Sequence, residues 1–156
     1  SNPRKIRFGD IFSIGDIKPD SLPTGEENSY LLCITAHCDC LYPNKISNCF
    51  HFVGGKEITL NEGLKKGDEG FISYIKSEKR FVCIKWDTAP FTIYIPPDNN
   101  NITKIIESSF SEKRISMKHL TCLNENHAQR IANESFSWAN RVGINFAKWD
   151  SGGKSK

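Results

Sequence analysis

Three runs near the middle of the chain, FISYI (71–75), RFVCIKW (80–86) and FTIYI (91–95), crowd β-branched and aromatic residues into short segments. Such runs fit the pleated, half-buried surface of a sheet. The polar connections KSEK (76–79) and DTAP (87–90) between them predict a three-strand meander. No βαβ alternation occurs anywhere in the chain, so the sheet is expected to be antiparallel.

Other strands follow from the same pattern. RKIRFGDIFSIGDI (4–17) reads as a short strand, a turn or bulge at Gly9-Asp10, and a second strand. YLLCITA (30–36) is apolar on both parities, as in a central strand covered on both faces. CFHFV (49–53) is another strand, and GGKEITLNEGLKKGDEG (54–70) reads as mostly irregular. KPDSLPTGEENS (18–29) is a loop and PPDNNN (96–101) a breaker. The stretch up to SEKR (111–114) is weakly defined, ISMKHL (115–120) is a last strand or a helix start, and INFAKW (144–149) a closing strand.

One helix is expected, starting at Asn124, a good N-cap. Ala128, Ile131, Ala132, Ser135, Phe136 and Ala139 recur at steps of three and four, with Arg141 in the last turn and Gly143 as the stop. The whole is expected to be mainly β: a small antiparallel barrel, SH3-like, or a curled sheet, closed by one C-terminal α-helix. Residues 3–150 form one domain and 151–156 a flexible tail, while Ser1-Asn2 reads as the remnant of a cleaved tag on a piece of a longer protein.

A net charge of +3 is too small to indicate nucleic-acid binding by itself. No apolar run is long enough to span a bilayer, so no membrane partner is expected. A cytoplasmic location follows, with the six cysteines reduced.

Four of those cysteines and two of the four histidines lie in CITAHCDCLYPNKISNCFHF (33–52). Cys33, Cys49 and Cys83 read as small buried apolar residues within strands. Cys38, Cys40, Cys49 and His51 make a formal Cys₃His zinc set. Regular strands oppose it, because residues two apart lie about 6.5 Å from each other, whereas tetrahedral sulfurs need about 4 Å. His37 beside Cys38 suggests a lowered thiol pKa, yet neighbours in a strand face opposite ways.

Asp39 follows a hydrophobic strand, where a carboxylate needs partners. It is read either as bonded to the next turn or as one wall of a pocket. The candidate pocket comprises His37, Cys38, Asp39, Arg130 and Arg141, with the strand end brought beside the final helix. No catalytic residues are assigned and no cofactor is expected, zinc being the alternative. Exposed aromatics, Trp138 and Trp149, are candidate contacts for a protein partner.

YLLCITAHCDCL (30–41) together with NHAQRIANESFSWANRVGINF (126–146) resembles an uncharacterised domain found after the receiver module in some bacterial response-regulator proteins linked to conflict loci. The shared features are an apolar strand ending in Cys38-Asp39 and a helix ending in Arg141-Val142-Gly143. The resemblance implies signal transduction by phosphorelay, with an upstream receiver domain in the same chain and a non-catalytic output or partner-binding role here. FGDIFSIGDI followed by YLLCIT is similar to the opening strands of MazF/PemK toxin barrels, which cleave RNA. That family places Arg-Pro before its second strand, where this chain reads Asn28-Ser29-Tyr30. A nucleic-acid-processing hydrolase and a zinc-stabilised structural domain are the alternatives.

Overall fold

The computed structural model describes residues 4–15, 29–66, 71–110 and 113–143. The strands are β1 (Asp10–Gly15), β2 (Tyr30–Cys33), β3 (Cys49–Ile58), β4 (Ile72–Ser77), β5 (Arg80–Tyr94), β6 (Ile106–Phe110) and β7 (Lys113–Cys122). Helices α1 (His37–Leu41), α2 (Leu60–Lys66) and α3 (Glu125–Arg141) accompany them. All strand pairs are antiparallel, in the order β3-β2-β1-β7-β6-β5-β4, and β3 also pairs with β5. That extra pairing closes a ring and leaves β4 hanging from β5 outside it. The fold is therefore the expected mainly-β, closed antiparallel sheet with a C-terminal helix. Among the described residues no helix is long and apolar enough to cross a membrane.

Strand alternation sorts the core into two layers. Phe12, Leu31, Cys33, Phe50, Phe52, Phe91, Ile93, Ile115 and Met117 fill the ring. Ile11, Leu32, Val53, Val82, Ile84 and Trp86 form the second layer, under Ala128, Ile131 and Ala132 of α3. α3 begins and ends where the sequence places it. Asn124 Oδ1 accepts from the N–H groups of Asn126 and His127, and Gly143 stops the helix at φ 86°.

Three local readings are corrected. DTAP does not separate two strands: β5 runs through it, and Asp87–Ala89 form a bulge between the pairs Gly55–Trp86 and Val53–Pro90. A bulge opposite Pro90 suits a residue with no N–H to give. Gly55 is required there, since a Cβ would lie 2.5 Å from Trp86 Cε3. The described part of the 54–70 stretch, 54–66, is not irregular, because β3 continues to Ile58 and α2 follows. Residues 4–8 form no strand but strap across one end of the ring. Ile6 N–H donates to Asn100 Oδ1 at 2.8 Å and Ile102 N–H to the Arg4 carbonyl at 2.8 Å. The expected strand 144–149, Trp149, the tag remnant and the tail lie outside the described residues.

Candidate functional site

The cysteine-rich corner is helical, not an extended strand end. The backbone turns at Thr35-Ala36 and His37–Leu41 make α1, so Cys38 and Cys40 sit about 200° apart around a helix axis. Cys38 is exposed, while Cys40 is buried and donates to the Thr35 carbonyl at 3.5 Å. Cys33 is fully buried, and both that burial and its hydrogen bond with Cys40 push its thiol pKa well up. Cys49 is half-buried, with its pKa raised by burial. His51 is buried; its N–H donates to Thr35 Oγ1 at 2.7 Å and its ring packs edge-on against Phe136. Among the described residues no three His, Cys, Asp or Glu side chains are grouped to hold a metal ion.

The corner does adjoin the final helix. His37 Nε2 donates to Glu125 Oε1 at 2.9 Å and its ring lies 5.2 Å from that of Phe8. Asp39 is half-buried in the first turn of α1, 3.9 Å from the Cys38 thiol. Arg141 stands at the other end of α3, about 24 Å along the axis from Glu125, and bonds Ser137 Oγ at 3.2 Å. Arg130 is exposed and Trp138 half-buried. His37, Cys38 and Asp39 thus share a corner with the start of α3, and Arg141 does not join them.

Among the described residues a denser polar constellation lies elsewhere, where β1 begins. Asp10 is fully buried, yet its carboxylate is saturated. Arg4 clamps both oxygens, at 2.8 and 3.0 Å, the Arg7 backbone N–H donates at 2.9 Å, and His119 Nε2 donates at 2.9 Å. Burial by itself would raise the Asp10 pKa, but the bonds from His119, Arg4 and Arg7 outweigh it and hold the group below the usual carboxylate value. The partner effect raises Arg4.

A bulge makes this possible. β1 and β7 slip register between Ile11–Thr121 and Phe12–His119, leaving Leu120 extra. His119 and Cys122, three apart, therefore both pair with the Asp10/Phe12 side of β1. The exposed Cys122 thiol donates to the Phe8 carbonyl at 3.7 Å. Its pKa is raised by burial and then by the Asp10 charge, against the partial opposition of Arg7 and Arg4.

A cleft of about 490 Å³ opens beside this cluster, lined by β4, the β7–α3 turn and His127. Behind it, Trp86 Nε1 donates to the buried Ser73 Oγ at 2.7 Å, and His127 Nε2 lies 2.8 Å from the same oxygen. Lys118 and Glu78 bridge at 2.9 Å between β7 and the β4–β5 turn.

Sequence reasoning missed Asp10, His119, Ser73 and His127. The one visible signal was an aspartate set directly after Gly9 and before the apolar Ile11-Phe12. The fold and these sites define a closed antiparallel β-barrel carrying one long helix. No protein-family model matches the chain, and no curated protein matches it.

Proposed function

We propose that this chain is a non-catalytic interaction module, the output or partner-binding domain of a bacterial response-regulator-type signalling protein in the cytoplasm. The signalling context rests on the resemblance carried by Cys38-Asp39 and Arg141-Val142-Gly143. The observation that carries the non-catalytic role is mutual neutralisation at Asp10. A general base or nucleophile needs spare capacity to accept a proton or attack, and Asp10 already accepts from Arg4, Arg7 and His119.

Four of the six thiols lean the same way. Cys33, Cys49, Cys83 and Cys122 are all shifted toward the protonated thiol, chiefly by burial. Ser73 is in hydrogen-bond reach of an imidazole, but it is buried on β4 and engaged by Trp86. A cleft beside a sheet edge stays open to solvent.

The test uses the natural chain with its upstream region. Acetyl phosphate is expected to change partner binding or oligomeric state, and short RNA or DNA to remain uncut. Salt-sensitive RNA cleavage that vanishes in the Asp10→Asn or His119→Gln variant would replace this reading with the ribonuclease one.

A further inference from the structure

We propose that the free edge of β4 docks an extended peptide bearing acidic side chains by strand addition, a proposal that rests on the interaction-module reading and names its partner class. β4 pairs with β5 from Ile72–Lys85 to Ser77–Arg80 and, among the described residues, with no other strand. In an antiparallel ladder the peptide groups of alternate residues point to opposite sides of the strand. The phase is fixed by the bond from Trp86 N–H to the Phe71 carbonyl at 2.7 Å. Residues 71, 73, 75 and 77 therefore bond to β5, and the N–H and C=O groups of Ile72, Tyr74 and Lys76 point outward. Those outward groups make no backbone hydrogen bond among the described residues.

The outward row opens into the cleft, whose lining includes Ile72, Tyr74, Ile75 and Lys76 on one wall and Thr121, Cys122, Leu123, Asn124 and His127 on the other. An extended backbone is the ligand that offers donors and acceptors at the same two-residue repeat. Charge selects its side chains. Lys76 lines the cleft, the N-terminus of the 17-residue α3 borders it, and none of the nine lining residues is a carboxylate. A second copy fits less well, because its own β4 is recessed behind an identical β7–α3 wall.

The test is backbone amide exchange and chemical-shift mapping of the chain with the capped probe acetyl-Val-Glu-Val-Glu-Val-Glu-Val-amide at up to millimolar concentration. Expected is new protection of the Ile72, Tyr74 and Lys76 amides. Lys-for-Glu replacement in the probe should weaken binding about tenfold, and methylating alternate probe amides should abolish it. Tyr74→Pro removes an outward donor that makes no ladder bond, so the fold should persist by Trp86 fluorescence while affinity falls about fivefold.

No protection at the three amides overturns the edge site. Protection of them without peptide, growing with protein concentration, overturns the peptide in favour of self-pairing. Peptide binding that protects other amides removes the edge but leaves the interaction-module reading standing. That reading fails separately, by turnover of a nucleic-acid substrate.

Discussion

Asp10 opens a hydrophobic strand and Asp39 lies on the short helix that follows another, and the fold treats them in opposite ways. Asp39 lies half-buried on a one-turn helix beside an exposed thiol. Asp10 is sealed from solvent and held by the Arg4 guanidinium, the Arg7 backbone N–H and a histidine, the last from a strand more than a hundred residues away. The cost of a carboxylate is set by what distant segments bring to it, not by its neighbours in the text. At Asp10 that supply is complete, which makes the group a structural clasp tying the strap 4–8 to β1 and β7.

Breaking the clasp is expected to have the largest effect. Asp10→Ala leaves the part-buried Arg4 guanidinium beside His119 with no anion, a loss of about 3–5 kcal/mol measurable by urea unfolding. The pH dependence sharpens this. Because the folded pKa lies below the ordinary value of 3.8, the clasp contributes fully above that value. Its contribution fades as pH falls through the unfolded and then the folded pKa. The wild type should therefore lose stability on acidification below about pH 4 more steeply than Asp10→Ala does.

What the sequence disclosed divides along the same line. Features set by near neighbours were legible. Asn124, the three-and-four spacing and Gly143 located α3, and alternation located most strands. Features set by pairing across the sheet were not. DTAP looked like a turn because Pro90 lacks an N–H, yet the β5 bulge opposite Val53–Gly55 accommodates it. α2 escaped because Leu60 and Leu64 stay exposed, so LNEGLKK shows little amphipathic period. His119 reaches Asp10 only because Leu120 is bulged out, a relation between strands that no local window contains. The expected meeting of the cysteine corner with the final helix is present as the His37–Glu125 contact, although Arg141 stands at the other end of α3.

Between the extremes lies the pair behind the cleft. Ser73→Ala removes the acceptor of the buried Trp86 Nε1–H and a partner of His127. The expected loss is about 2 kcal/mol, read as a lower unfolding midpoint with a change in Trp86 fluorescence. Asn124→Ala comes next. It deprives the N–H groups of Asn126 and His127 of their cap, for about 1 kcal/mol, and hydrogen exchange should quicken in the first turn of α3 before the rest of the helix.

Asp39→Ala is expected to have the smallest effect and tests the other half of the contrast. Among the described residues its side chain makes one weak hydrogen bond, with the Cys38 thiol at 3.9 Å, and solvent reaches the site. Only the attraction of a carboxylate for the first turn of a short helix is lost, so the change should stay within about 0.5 kcal/mol. The neighbouring His37–Glu125 pair, 58% and 73% exposed, should likewise yield a coupling of about 0.5 kcal/mol or less in a double-mutant cycle. A loss at Asp39 as large as that at Asn124 would mean that the corner holds a partner for this carboxylate. The contrast with Asp10 would then be one of degree, and the corner would regain its claim as the polar centre of the molecule.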